Sequence, residues 1–276
     1  MSEKQIPGPN VLLEGPTGTG KTHSIGTLVD AGIEVFYFAF ENGSESLRGY
    51  WLDAGKPIPS NLHFITVKPA MANWTEMADA VKAVNVMAYD ALKKMTDPHR
   101  SKYNQLENFL RTFNDVTDDE GKKYGAIDTW GPGRAVVIDG LTGLSTAALS
   151  TVVGGKADRD QKDWGLAQNI VENFLRRMCD ACPAIFILIA HVERETDPVF
   201  GGTKITVSTL GKALPPKIPP MFSDVILAYR EGVNFFWSTA NSQADLKTRN
   251  LPIADKILPD FGQIIGKWKA RGGLAK

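Results

Sequence analysis

The sequence predicts an α/β fold, a mainly parallel sheet sandwiched by helices with an antiparallel extension towards the carboxyl end. Three observations predict it. The apolar runs are continuous rather than alternating, as strands covered on both faces require. Amphipathic helical stretches separate them, so parallel neighbours can be joined by right-handed crossovers. The first strand runs straight into a glycine-rich loop and a helix, a junction that presents backbone N–H groups to phosphates.

Taken in order, Val11-Leu12-Leu13 is a short first strand, followed by a helix over 21–31. Residues 33–40, rich in valine, phenylalanine and tyrosine, form the second strand and stop at Glu41-Asn42-Gly43. Residues 63–67 are a third strand. Helical periodicity covers about 74–94 and 103–113. Ala135-Val136-Val137-Ile138 is a strand that ends at Asp139-Gly140. A helix over 164–182 leads into the apolar strand 184–190, which ends at His191. Residues 225–228 follow a proline-rich stretch, and 233–239 supply the antiparallel strand. A last helix starts near Asp260, a good N-cap, and runs towards Lys269. All of this is expected to form one domain over 1–276, with a helical insertion at about 71–130 and a long loop at about 193–222. That loop carries Gly201-Gly202, Pro215-Pro216 and Pro219-Pro220, and loops of such length in compact domains are usually functional or disordered.

Composition narrows the function classes. Hydrophobic residues make up 43% and charged ones 22%, an ordinary balance that can bury a sizeable core. No run of about eighteen apolar residues exists, so no membrane partner is expected. The start, Met1-Ser2-Glu3-Lys4-Gln5, lacks the apolar stretch of a secretory leader, and Cys179 and Cys182 cannot make a disulfide framework. The expected location is therefore the cytoplasm. Basic and acidic residues balance at 31 each, which argues against a surface coated for nucleic acid but leaves room for a local basic groove. The basic bias is local. Residues 198–223 hold Lys204, Lys212 and Lys217 and no acid, and 247–276 hold seven basic residues against Asp255 and Asp260. Cys179-Asp180-Ala181-Cys182 has C-x-x-C spacing, but no second ligand pair exists for zinc, so a helix end before Pro183 explains it better. His63 and His99 stand isolated.

Gly15-Pro16-Thr17-Gly18-Thr19-Gly20-Lys21-Thr22 fits G-x-x-x-x-G-K-[ST]. Inward-turned amides around an anion need glycines, and the next helix adds unpaired N–H groups and the positive end of its dipole. Lys21 is expected to reach the β- and γ-phosphates and the Thr22 hydroxyl to ligate magnesium. His23, directly after the loop, is counted among the nucleotide contacts. Asp139, at the end of its strand, is placed to hold the metal, directly or through water. Glu41, at the end of another, can orient and deprotonate the attacking water. ATP and Mg2+ are the expected cofactors.

At Glu41 and Asp139-Gly140-Leu141-Thr142 the sequence resembles the RecA/KaiC group of P-loop ATPases, which includes hexameric replicative helicases. The fold implied is RecA-like. In that group the catalytic glutamate sits at the end of the strand after the phosphate-loop helix, as Glu41 does. Gly140 stands where helicase and ABC-type arrangements carry a glutamate next to the Walker B aspartate. The resemblance makes His191 a γ-phosphate sensor, and makes Lys247-Thr248-Arg249 the K-x-R element that reaches across a subunit interface to the γ-phosphate. Arg48, Tyr50 or Trp51 lies at a suitable distance beyond Glu41 to stack on adenine, with a packed aromatic pair as the alternative reading.

The chain is most similar to small bacteriophage RecA-like ATPases that act as recombinases or single-strand annealing proteins, on Asp163-Trp164-Gly165, Ile189-Ala190-His191 and the loop after it. This likeness implies a homo-oligomeric ring or filament in host cytoplasm. It also implies single-stranded DNA at loops 154–163 (Lys156, Arg159, Lys162) and 196–221 (Phe200, Lys204, Lys212, Lys217). Two alternatives stand beside it. One is a nucleotide or small-molecule phosphotransferase with residues 97–123, including Arg100 and Arg111, as a lid. The other is a nucleotide-gated assembly factor with little turnover.

Overall fold

The computed structural model describes residues 6–41, 43–69, 73–88, 90–91, 104–154, 159–196 and 201–273. In chain order its strands are β1 (Asn10–Glu14), β2 (Glu34–Ala39), β3 (Leu62–Thr66), β4 (Arg134–Asp139), β5 (Ile185–Ala190), β6 (Val192–Thr196), β7 (Thr203–Val207), β8 (Asp224–Glu231) and β9 (Asn234–Ser238). The helices are α1 (Lys21–Asp30), α2 (Ser44–Leu52), α3 (Trp74–Asn85), α4 (Gln105–Thr112), α5 (Leu141–Val153), α6 (Gln161–Ala181) and α7 (Phe261–Ala270).

Seven strands make one sheet in the order β3-β2-β4-β5-β1-β8-β9, parallel except for the β8–β9 hairpin. The pleat explains the continuous apolar runs. Leu12, Phe36, Phe38, Val136, Ile138, Phe186 and Leu188 face a core shared with α4, α5 and α6. Their neighbours Leu13, Val35, Tyr37, Val137, Ile187 and Ile189 face a second core shared with α1, α2 and α7. Both faces are covered, so nearly every strand position must be apolar.

Register decides what meets at the sheet edge. Ala39 lies beside Asp139, Asp139 beside Ile189, and Ala190 beside Glu14. The carboxyl ends of β2, β4, β5 and β1 therefore open onto one crevice, with the phosphate loop following β1 and α1 carrying the chain over β5 and β4 to β2. This is where open α/β sheets place ligands.

Several expectations need revision. The second half of the segment read as an insertion is core: Leu106, Phe109, Val116, Ile127 and Trp130 are buried against β2 and β4. Periodicity identified the α4 helix without showing that its apolar face had a partner. The first helix of that segment stops at Asn85, and residues 92–103 lie outside the described residues. Its start is a full capping box of Asn73 and Glu76, and Trp74 is 85% exposed. The stretch read as a loop at 193–222 contains the antiparallel ribbon β6–β7 and two short 3-10 turns at Pro215–Lys217 and Pro219–Met221. Its strand pattern was hidden because β6 is Val-Glu-Arg-Glu-Thr, mostly exposed and without an apolar face. Helix α6 begins at Gln161, capped by Asp160 and Asp163, three residues before Trp164. The last helix starts at Phe261 with the Asp260 carboxylate accepting the Gly262 N–H at 2.7 Å, as expected. Among the described residues no helix is long and apolar enough to cross a membrane.

Candidate functional site

The site is built from the loop outward. Gly20 caps α1 with φ 76°, a left-handed conformation that favours glycine, and no side chain caps the helix start. The N–H groups there are thus left for an anion. Thr19 Oγ1 donates to the Pro16 carbonyl at 2.8 Å and braces the loop. The Lys21 side chain lies along the loop, 5% exposed, with Nζ donating to the carbonyls of Gly15 and Pro16 at 2.7 Å each. Burial lowers its pKa to about 8, against the upward pull of Asp139 and Glu41.

Asp139 is likewise only 5% exposed. Its Oδ2 accepts the Thr22 hydroxyl at 2.6 Å and the Tyr37 hydroxyl at 2.5 Å. Burial pushes the carboxyl upward while these two hydrogen bonds oppose the shift. Tyr37 was not foreseen. Its signal was a hydroxyl in the middle of an apolar strand, which must find a partner when buried. No cluster of three or more His, Cys, Asp or Glu side chains able to hold a metal occurs among the described residues. The paired oxygens of Thr22 and Asp139 nevertheless suit Mg2+, which needs few protein ligands beside phosphate oxygens and water.

Glu41 stands across the crevice and is fixed from three sides. His191 Nε2 lies 3.1 Å from its Oε2. The Gly143 N–H, in the first turn of α5, donates to it, so Glu41 supplies the acceptor for a helix start on another strand. Gly140, at φ 121°, has no room for a side chain, because a Cβ there would lie 2.7 Å from Glu41 Cγ. This contact accounts for the missing glutamate after Asp139: position 140 is the bed of Glu41. The hydrogen bond from His191 is the largest influence on Glu41 and holds its carboxyl below the usual range.

His191 also reaches the loop, with Nδ1 3.5 Å from Thr17 Oγ1. A proton on Nε2 satisfies both contacts, donating to Glu41 and leaving Nδ1 to accept from Thr17. The next residue begins β6, and the His191 carbonyl accepts from Ser208, just beyond β7, at 2.7 Å. Both ends of the ribbon are therefore rooted at this histidine.

Other candidates fall elsewhere. The guanidinium of Arg48 lies 3.9 Å over the Phe64 ring, and the Tyr50 hydroxyl and Trp51 indole both donate to Asp30. Helix α2, unread in the sequence, turns Arg48 onto Phe64 and Tyr50 and Trp51 onto Asp30. Tyr50 and Trp51 form the packed aromatic pair that stood as the alternative to adenine stacking, with ring centroids 4.8 Å apart. His23 sits against Tyr50 with ring centroids 5.0 Å apart. Lys247 and Arg249 are at the opposite edge of the sheet, beside the start of β8: Val225 N–H donates to the Lys247 carbonyl at 2.7 Å and Lys247 Nζ to that of Pro220 at 2.9 Å. They do not reach the phosphate loop of their own chain.

Arg159 and Lys162 are exposed around the start of α6, whereas Lys156, Phe200 and Arg100 lie outside the described residues. Lys204, Lys212 and Lys217 pair with Asp245, Glu195 and Glu172, acids distant in sequence that the local count of charges missed. Arg111 is bound to Glu107 on its own helix. Cys179 and Cys182 are free, at and just beyond the end of α6, and burial pushes the Cys179 thiol up to about 12.

One buried acid next to the loop sets a pH dependence. Glu14 ends β1, is 2% exposed, and has its pKa raised from 4.5 to about 8, chiefly by burial and then by Asp245. A raised folded-state pKa means stability that is complete below about pH 4.5 and drains away as pH rises towards 8. Glu14→Gln is expected to be more stable than the parent, by about 1–3 kcal/mol near pH 8 and little at pH 5. Thermal melts at the two pH values check this, and an equal effect at both would rule it out.

A glycine-rich loop between a buried strand and a helix, with a lysine inside it and two carboxylates at neighbouring strand ends, defines a P-loop nucleoside-triphosphate-binding protein. The chain matches the AAA domain family AAA_24 over residues 8–251 and belongs to that family. It is thus an AAA-type P-loop ATPase domain. No curated protein matches the chain.

Proposed function

We propose that the chain hydrolyses ATP with Glu41 as general base, at a site completed by a neighbouring copy, and couples turnover to single-stranded DNA. The observation that carries this reading is His191, which joins Glu41, the phosphate loop and both ends of the β6–β7 ribbon. A change at the γ-phosphate thereby acts on the ribbon.

In this mechanism the amides of residues 18–22 and Lys21 hold the phosphates. Thr22 and Asp139 would hold Mg2+, which when bound would neutralise phosphate charge. Glu41, ionised at neutral pH, orients water and takes its proton, while His191 and Gly143 keep the carboxylate aimed. Lys247 and Arg249 of a neighbouring copy offset charge developing on the γ-phosphate, in line with their place at the far edge of their own sheet. That placement also favours a ring or filament over a monomer. Loops 154–163 and 196–221 meet the DNA. The ion pairs of Lys204, Lys212 and Lys217 are exposed on the lysine side and worth about 0–1 kcal/mol each, so a polyanion exchanges them readily. The setting is recombination, annealing or replication, as for the bacteriophage ATPases it resembles.

Turnover measured with and without an oligonucleotide at low and high salt tests the DNA assignment. The expected result is stimulation that fades as salt rises, because counterion release drives such binding. Unstimulated turnover together with salt-insensitive or absent binding would leave ATPase chemistry without this substrate.

A further inference from the structure

Asp224 opens β8 at the edge of the sheet opposite the phosphate loop and is 0% exposed. A carboxylate taken fully out of water is costly unless its oxygens are saturated with donors. Here they are. Oδ1 accepts the Thr248 hydroxyl at 2.9 Å and the backbone N–H groups of Arg249 and Asn250 at 2.8 Å each. Oδ2 accepts the Asn250 side-chain amide at 2.7 Å and shares the Ser223 hydroxyl, at 2.9 Å, with the Asn10 carbonyl at 2.7 Å. Four of the five donors come from three consecutive residues, 248–250.

The rest of that short segment is tied down as well. The Lys247 carbonyl is bound by the Val225 N–H, the Arg249 carbonyl by Arg271 Nη1 at 2.7 Å, and the Thr248 hydroxyl oxygen by the Leu251 N–H at 2.8 Å. Alternation does the remainder: Thr248 and Asn250 turn towards Asp224, while the side chains of Lys247 and Arg249 are exposed. A buried anion thus grips the backbone that carries two exposed cations, of which Lys247 is also held by the Pro220 carbonyl.

We infer that Asp224 is the positioning residue for Lys247 and Arg249, holding both at the spacing that a neighbouring copy's nucleotide requires. The inference rests on the reading above, that these cations complete the site of another copy. Placement matters because a misplacement of about 1 Å at a reacting centre costs about 10²-fold in rate. Asp224 acts through the segment and touches no phosphate itself.

The test is complementation between variants of the full chain. Asp224→Asn keeps the shape but replaces one acceptor oxygen with an amide, leaving at least one donor of the 248–250 segment without its partner. Its turnover is expected to fall about 10²-fold with ATP affinity unchanged, since its own phosphate loop lies at the other edge. Mixing it with Lys21→Ala chains is expected to restore turnover, because the intact cations of one serve the intact loop of the other. Mixing it with Arg249→Ala chains is expected to restore nothing.

Turnover at the parent level in Asp224→Asn, with Arg249→Ala inactive, overturns the positioning role and leaves the shared site standing. Parent-level turnover in Arg249→Ala overturns the shared site itself. Weakened ATP binding in Asp224→Asn, or failure of its rescue where Arg249→Ala is rescued, makes Asp224 a general structural residue and also overturns the inference. Thr248→Ala removes a single donor and serves if Asp224→Asn does not fold. It is expected to lose turnover by a smaller factor with the same rescue, and no loss at all would count against the inference.

Discussion

Lys21→Ala is expected to lose ATP turnover by about 10²–10³-fold, the cost typical of removing one preorganised donor from developing charge, and to lose most nucleotide affinity with it. The physical case is the position of the ammonium. Nζ lies along the loop on the carbonyls of Gly15 and Pro16, is shielded from water, and sits within the fields of Asp139 and Glu41. Two acids at neighbouring strand ends would repel a triphosphate, and this cation is what offsets them. Because burial lowers its pKa to about 8, the charge that attracts phosphate is present at neutral pH and is lost as pH rises past that value. Affinity should therefore weaken above pH 8 in the parent and show no such step in Lys21→Ala. Calorimetric titration with a slowly hydrolysed ATP analogue at pH 7 and pH 9 measures both. Equal affinity in parent and variant would remove Lys21 from the phosphate site.

Glu41→Gln should separate binding from chemistry. General-base catalysis contributes about 10²–10⁴-fold, so turnover is expected to fall by that order while ATP still binds. The amide keeps the shape, and its oxygen can still accept from Gly143 or His191, so the fold is preserved. Gly140→Ala should act in the same direction without touching the carboxylate's chemistry. Its methyl would fall on the Glu41 side chain, at a backbone φ of 121° that L side chains rarely adopt. A rate set by Glu41 then drops because the base is displaced. Were Glu41→Gln to turn over as the parent does, the base would have to lie elsewhere, and Gly140→Ala would report only on stability.

What was legible in the sequence had local causes. The phosphate loop is a run of consecutive residues whose glycines and lysine serve one anion. The strand ends at Glu41, Asp139 and His191 were marked by a change from apolar to polar within one or two positions. Asp260 announced α7 because an N-cap acts on residues next to it. Elements without such a local mark were missed. Helix α5, Leu-Thr-Gly-Leu-Ser-Thr-Ala-Ala-Leu-Ser-Thr-Val-Val, has no charged residue and no clear polar face, and α2 begins directly after a glycine that looked like a loop.

The sequence by itself determined the fold class, the phosphate-binding loop and the set of polar residues that end the central strands, because each depends on neighbours in the chain. Only the tertiary structure decided which of those residues act together. Strand register brought Tyr37 and Thr22 onto Asp139 and His191 between Glu41 and Thr17, and α2 turned Arg48 onto Phe64. The sheet also put Lys247 and Arg249 at the edge away from their own loop, with Asp224 buried beneath them. Such partnerships span tens to hundreds of residues, and the hydrogen bonds and burial that select them exist only once the sheet is assembled.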